Sequence, residues 1–142
     1  PRRILGQYVL TEADVRGQAR FADAIGLCNS PVDVHEPGGN RGIMDHVGAG
    51  YGIPFRCMLP ARTGNLIMAG RCISVDEIAY GSTRNVPACT MTGEAAAYAA
   101  TIAVRDGIDV AEVPVVDIQS KLRARGAVLG SLDETAEAAA AS

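Results

Sequence analysis

Residues 85–107 leave the chain the least choice of structure. Pro87 stands where proline is tolerated, in the first turn of a helix, because its missing N–H is one of the groups a helix start cannot pair internally. Gly107 closes the stretch as a C-terminal stop, so the two residues predict a helix of about twenty residues. Its filling is Ala95, Ala96, Ala97, Ala99, Ala100 and Ala103 with Gly93. Side chains this small on nearly every face let another backbone lie very close. Upstream, NLIMAGRCIS covers residues 65–74, and its apolar run stops at Gly70 and Arg71. The run lacks polar alternation, so 65–69 is predicted to be a strand covered on both faces, as in a parallel sheet.

The remaining elements are shorter. Residues 3–10, RILGQYVL, have the β-branched and aromatic content of a strand. Thr11 then offers an N-cap hydroxyl with acids in the first turn, which predicts a short helix ending near Gly17. Residues 31–35 read as a strand, and EPGGNRG after them as a loop. In 51–59, YGIPFRCML, a strand would put Ile53, Phe55, Cys57 and Leu59 on one face, with Pro54 at an edge or bend. Residues 114–125 predict a helix with Ile118 and Leu122 on one face and Gly126 at its end. The closing ETAEAAAAS is expected to be a low-complexity, frayed tail. Together these predict the α/β class, yet with too few strands for a self-contained α/β domain and without the first βαβ unit that should begin the sheet.

The totals exclude several functions. The chain has 142 residues, 48 % apolar and 20 % charged, enough for one modest domain. No apolar run is long enough to span a bilayer, so we expect a soluble protein without a membrane span. A net charge of −3 with no Lys/Arg block, and 4 % aromatics without Trp, disfavour nucleic acid as a partner. Cys28, Cys57, Cys72 and Cys89 form no C-x-x-C, and are expected to be reduced and mostly buried. The sequence starts at Pro1 without a charged-then-apolar leader. We therefore expect a processed, cut or truncated chain whose targeting signal is out of view, in the cytoplasm.

Local motifs narrow the chemistry further. VGAGYG, residues 47–52, has neither the spacing nor the context of a dinucleotide fingerprint, because its glycines run into Ile53-Pro54 and open no helix. His35 and His46 lack metal-ligand spacing, so no metal is expected. His46 reads as a solvated loop residue. His35 ends a strand before a Gly-rich loop, a place where catalytic groups sit on a rigid scaffold. Neither a G-x-S-x-G elbow nor a phosphate-binding G-x-x-x-x-G-K-[ST] occurs. The gap between the end of 65–69 and the helix start near Pro87 remains. Glycine there lets a ligand approach the backbone, and unpaired N–H groups with a partial positive charge would favour an anionic or electron-rich group.

On these residues the chain resembles a known family. NLIMAGRCIS and GSTRNVPACTMTGEAAAYAA, with RRILGQYVLTEADVRGQARFADAIG, PVDVHEPGG, YGIPFRCMLP and LRARGAVL, occur in the order of the C-terminal part of FAD-dependent oxidoreductases related to glutathione-reductase-like flavoproteins and fumarate reductases. The resemblance spans roughly residues 2–130, and six blocks in order make it more specific than any single motif. It implies the C-terminal part of a Rossmann-like FAD-binding fold plus the end of a substrate or cap region, incomplete as a domain by itself. The implied organisation is 1–58 as the end of a substrate-facing region and 59–108 as the last FAD-domain strand with the flavin-facing helix. Residues 109–130 would be a C-terminal helix and 131–142 a disordered tail.

The resemblance also implies site residues. FAD is the expected cofactor, with Gly70 and Arg71 beside its ribityl and pyrophosphate region. The backbone at Arg84, Asn85 and Val86 would face the flavin N1–C2=O edge, and Gly93 would pack closely against a neighbouring backbone. His35 and Arg56 are the catalytic candidates, the first to exchange protons and the second to hold a carboxylate or an oxyanion. The expected partners are an N-terminal FAD-binding half, in the same precursor or as a separate subunit, and a small-molecule substrate. Such a fragment or subunit would be inactive alone. The match departs from the family pattern at Val75-Asp76-Glu77-Ile78, where a Thr-His-Glu-like stretch is expected, at Ala97, where relatives often have a second Gly, and at Arg71, where they often carry an acid. The alternatives are a cofactor-free structural or interaction module and a different cofactor enzyme that shares only strand-plus-helix packing.

Overall fold

The computed structural model describes residues 4–35 and 42–130. Four helices, α1 (Glu12–Arg16), α2 (Glu77–Thr83), α3 (Val86–Asp106) and α4 (Val115–Ala124), stand among four short strands, β1 (Ala24–Cys28), β2 (Val32–His35), β3 (Gly42–Asp45) and β4 (Tyr51–Pro54). The strands form two antiparallel ribbons. β1 pairs with β4, Cys28 opposite Tyr51 and Ala24 opposite Pro54, with an irregularity between Ala24 and Leu27. β2 pairs with β3, from Val32 opposite Asp45 to His35 opposite Gly42. The chain is thus mixed α and β as expected, while the parallel sheet of a Rossmann-like fold is absent among the described residues.

Helix ends follow local chemistry. Thr11 caps α1 in a capping box with Asp14, and Gly17 closes it, as its sequence predicts. α3 carries Pro87 in its first turn and ends at Gly107, whose φ of 66° is the left-handed conformation that glycine adopts without a Cβ penalty. α4 buries Ile118 and Leu122 as predicted. Its Gln119 amide donates to the carbonyls of Ala22 and Ala24, both at 2.9 Å, which ties the helix to the start of β1.

Three expectations about strands are corrected. Residues 65–69 are not a strand: among the described residues the run has no strand partner, and Met68 N–H donates to the Met58 carbonyl at 2.7 Å. An apolar run becomes a parallel strand only if a neighbouring strand arrives through a crossover, and none is present among the described residues. Of the predicted strand 3–10, the described residues 4–10 contribute only single bridges, Gly6 to Pro60 and Leu10 to Val75. In 51–59 the strand stops at Pro54, and Phe55–Met58 forms a 3-10 turn that buries Phe55, Cys57 and Met58 and exposes Arg56. Period two and a tight turn both bury Phe55 and Cys57, so the pattern could not separate them.

Three elements, β1, α2 and β3, arise where the sequence reading placed neither helix nor strand. β1 is a short apolar run packed under α3; a Cβ at Gly26 would fall 1.6 Å from the Met91 sulfur, so a larger residue there would have to displace the Met91 side chain. α2 begins at Asp76, inside the stretch where the chain departs from its resembling family. One carboxylate oxygen of Asp76 accepts from Ala79 N–H at 2.8 Å, and the other accepts from Glu12 N–H at 2.6 Å, so one side chain serves the starts of two helices. β3 begins at Gly42, at the end of the predicted EPGGNRG loop; residues 36–41 of that loop, and the predicted tail at 131–142, lie outside the described residues.

One core draws on α1–α4 and on β1, β2 and β4. Leu10, Ile25, Tyr51, Ile73, Ile102 and Leu122 are its large members, each with at most 1 % of its surface exposed. Burying such a side chain contributes about 1.5–3 kcal/mol. α3 presents Ala88, Ala95, Ala99, Ile102 and Ala103 to this core, which is where its small side chains permit close approach. No cysteine is in a disulfide. Cys28 and Cys57 are buried, but Cys89 is only half-buried and Cys72 is exposed, so "mostly buried" holds for two of the four. Burial pushes the Cys57 thiol up to about 12. Among the described residues no helix is long and apolar enough to cross a membrane, and no group of three or more His, Cys, Asp or Glu is placed to hold a metal.

Candidate functional site

The junction between α2 and α3 is built of Arg84 and Asn85. Arg84 closes α2 in helical conformation, and Asn85 turns extended (φ −72°, ψ 155°) to start α3. Arg84 sends its Nη2 to the Asp33 carboxylate at 2.8 Å and to the Asp33 carbonyl at 3.0 Å. The half-buried pair thus fastens β2, the strand that ends in His35, to the junction. Ser82 adds a second fastening: its hydroxyl accepts from the buried Tyr51 hydroxyl at 2.7 Å and donates to the Ser30 carbonyl at 2.5 Å. Burial holds the Tyr51 phenol well above its ordinary pKa, so this donor stays protonated.

The tip of the 65–69 run meets this junction. Gly70 adopts φ 59°, strained for any residue with a side chain, and its N–H donates to the Thr92 hydroxyl inside α3 at 2.9 Å. Arg71 Nε donates to the Arg84 carbonyl at 3.3 Å. The Cys89 thiol, in the first turns of α3, lies 3.5 Å from the same carbonyl. Gly70, Arg71, Arg84, Asn85 and Val86 are therefore neighbours, although 13 residues separate Arg71 from Arg84 in the chain.

The start of α3 is electrostatically open. A helix leaves its first four N–H groups without internal partners, and they carry a partial positive charge. Thr11 and Asp76 cap α1 and α2, while no side chain caps α3. Val86 beside it is 75 % exposed. A cleft of about 410 Å³ runs from there, lined by Leu27, Val86, Pro87, Met91, Leu122 and Val128 with Glu94 as its acid. The walls of the opening are mostly apolar, and Val86 is its exposed backbone donor at the start of α3, since Pro87 has no N–H and Ala88 is fully buried.

The other named residues stand apart from this contact set. Gly93 is exposed, and a Cβ built on it meets nothing within 4 Å, so the expected close packing against a neighbouring backbone does not exist among the described residues. Arg56 donates to both carboxylate oxygens of Asp23, at 2.8 and 3.2 Å, and its guanidinium sits 5.1 Å from the centre of the Tyr8 ring. The hydrogen bond to Asp23 raises its pKa further above the ordinary arginine value. His35 closes β2 with its backbone paired to Gly42. His46 is an exposed loop residue. Sequence reasoning missed Asp33, Ser82 and Thr92, the partners that hold the junction in place. Thr92 could have been found as a buried-phase hydroxyl in an alanine helix, but Asp33 and Ser82 carry no local signal.

A family model described as FAD dependent oxidoreductase matches residues 1–122. No curated protein and no solved structure matches the chain.

Proposed function

Because the chain belongs to the FAD-dependent oxidoreductase family, we propose that it is the C-terminal portion of such an enzyme and completes a flavin site for hydride or electron transfer on a small molecule. FAD is the family's cofactor, and it supplies the electron transfer at its N5 position when bound. The observation that carries the reading is the uncapped start of α3 lying beside Gly70 and Arg71.

The residues present fit one end of FAD. The backbone N–H of Val86 would face the N1–C2=O edge, where a positive helix end favours negative charge, while those of Arg84 and Asn85 already donate to the Tyr80 and Ser82 carbonyls. Gly70 and Arg71 would flank the ribityl and pyrophosphate region. What would grip the pyrophosphate is a Gly-rich turn between a strand and a helix, and Gly48 and Gly50 instead lead into β4. An N-terminal FAD-binding half would supply that turn. A strand from it could pair along the extended 65–69 run and give that run the parallel neighbour it lacks.

On the substrate side, His35 at the end of β2 is the residue to exchange a proton. Arg56 could hold a substrate carboxylate only by leaving Asp23, which ranks it second. The finer likeness to glutathione-reductase-like or fumarate-reductase flavoproteins belongs to this proposal as well. Flavin absorbance tests it. Purified with its FAD-binding half, the protein should carry one FAD; the 142 residues alone should stay colourless. Absence of FAD from the complex would favour a cofactor-free interaction module, and stoichiometric FAD on the short chain alone would refute the incomplete site.

A further inference from the structure

α3 and α4 differ in what they show to solvent. A surface helix carries charge on the side away from its core, and a helix without such a side lies inside a larger body. α4 follows the rule and exposes Asp117, Lys121 and Arg123. In α3 the one charged residue between 86 and 104 is Glu94. Val86 and Val104 are 75 % and 85 % exposed, and Gly93, Ala97 and Ala100 are exposed between them. The helix therefore buries Ala88, Ala95, Ala99 and Ile102 on one side and turns an uncharged side outward, yet it is not long and apolar enough to cross a membrane. Gly93 adds a second anomaly. A Cβ there meets nothing within 4 Å, so nothing among the described residues calls for a glycine that weakens the middle of a helix.

Glu94 stands at the edge of this face, in the cleft of about 410 Å³ that Met91, Leu122 and Val128 also line. It is half-buried, and among the described residues it has neither a cation nor a hydrogen-bond donor. The other half-buried acids are all partnered. Glu12, Asp23, Asp33 and Asp45 face arginines, while Asp14, Asp76 and Asp109 accept from backbone N–H groups at the starts of helices and turns. A carboxylate set among hydrocarbon favours a cation arriving from outside. That charge selects the occupant. A second copy pairing α3 with α3 about a two-fold axis would bring the two Glu94 carboxylates together, since residue 94 lies in the middle of the face. The chain beyond Gly130 carries Asp133, Glu134 and Glu137 and no Lys or Arg, so it too is repelled. The FAD-binding half remains: the flavin edge would lie at Val86, at one end of this face, and whatever grips the rest of FAD must reach that same end.

We propose that the outer face of α3 and the cleft beside it form the surface on which the FAD-binding half docks, with a close-fitting segment along Gly93, Ala97 and Ala100 and a Lys or Arg at Glu94. This rests on the reading of the chain as the C-terminal portion of a flavoenzyme. Docking gives the uncharged face a cover, Gly93 a neighbour and Glu94 a counter-ion. It also separates two effects that folding alone would join. Gly93→Leu removes a helix-weakening glycine and points into open space in the short chain, but it overfills the docked contact.

Alone, the 142-residue Gly93→Leu chain should melt no lower than wild type. Produced together with the FAD-binding half as separate chains, Gly93→Leu and Ala97→Leu should each weaken the assembly about tenfold or more, read by sedimentation over a dilution series, since overfilling a packed contact costs a factor of that size. Glu94→Gln keeps the size and loses the charge. It should weaken the assembly severalfold and make it less sensitive to about 0.5 M salt than wild type. Ser120→Leu, on the exposed side of α4, is the control and should leave assembly unchanged. If both leucine variants assemble as tightly as wild type, or no more weakly than Ser120→Leu, the face is not the contact and the inference is overturned while the flavin assignment stands. Dimerisation of the short chain alone, abolished by Gly93→Leu, would make the face a contact between copies and overturn it as well. If wild type does not assemble with an FAD-binding half, both fall together.

Discussion

The starts of α1 and α3 solve the same electrostatic problem in opposite ways. At α1 the Thr11 hydroxyl and the Asp76 carboxylate take the free N–H groups, and Asp14 returns a bond to the Thr11 backbone. At α3, four times as long, the N–H groups have no side-chain partner and the residue that could serve them faces away. Capping a helix is worth about 1 kcal/mol, so the open end is the less stable arrangement taken by itself. Structure spends its acceptors on α1 and α2, which join segments, and withholds one at α3, beside the tip of the 65–69 run. The difference separates helix starts closed by side chains from one that side chains leave open.

The largest effect should come from making the closed ends resemble the open one. Asp76→Ala removes acceptors from both Glu12 N–H and Ala79 N–H, and each lost cap costs about 1 kcal/mol and up to about 2. Urea unfolding should show a loss of about 2–3 kcal/mol. A loss no larger than that of Thr11→Ala, which touches α1 alone, would mean that Asp76 does not serve both helices.

Next is the fastening under the junction. Tyr51→Phe deletes the hydroxyl that donates to Ser82 while leaving Ser82 bonded to Ser30. Because Ser82 keeps a partner, the cost should be that of one buried hydrogen bond, about 1–1.5 kcal/mol. If the loss is several times larger, the network carries α2 and the junction as one unit.

The helices were largely legible in the sequence because their ends are local. Thr11 and Gly17, Pro87 and Gly107, Pro114 and Gly126 mark three of the four. α2 was not, since Glu77–Thr83 contains Gly81 and a β-branched end, and its start at Asp76 coincides with the departure from the family pattern. Strands were harder, because a strand exists only with a partner: the apolar run at 65–69 has the composition and lacks the neighbour. At the site, the resemblance implied one place for Gly70, Arg71, Arg84, Asn85 and Val86, and the contact of Arg71 with Arg84 makes them neighbours although 65–69 is not a strand. It could not assign what each side chain does there, since the partners of Arg84 and Asn85 lie more than fifty residues away in Asp33 and Pro31. At Gly93 small size permits close packing, but no neighbour stands within 4 Å of a Cβ there among the described residues.

Alkaline pH gives a smaller test on the closed side. Burial raises the Cys57 thiol from 9.0 to about 12. A folded-state pKa above the unfolded value means that the folded chain holds its proton longer, so stability is complete below pH 9 and falls as pH rises toward 12. Between pH 9 and 10 the loss should be about 1 kcal/mol, and Cys57→Ala should flatten that part of the urea-midpoint profile. Tyr51, shifted in the same direction, adds to the slope only above pH 10. An unchanged slope in the alanine variant would assign the alkaline loss to other groups.

The smallest effect is expected at Arg56, and it sharpens the contrast between paired and available groups. Its side chain is 48 % exposed, while its partner Asp23 is 16 % exposed. An ion pair open to solvent on one side contributes at most about 1 kcal/mol, because water screens it and the long side chain loses freedom on pairing. The Tyr8 ring under the guanidinium adds a few tenths by cation–π attraction at such a surface site, about 0.5 kcal/mol. Arg56→Ala should therefore lower stability by about 1 kcal/mol, and 0.5 M salt should shrink the difference between variant and wild type. A salt-independent loss of several kcal/mol would make Arg56 a fixed structural anchor of the turn at Phe55–Met58. That result would also end its candidacy as a substrate-holding residue, because an arginine needed to keep the turn folded cannot leave Asp23 to take up a ligand.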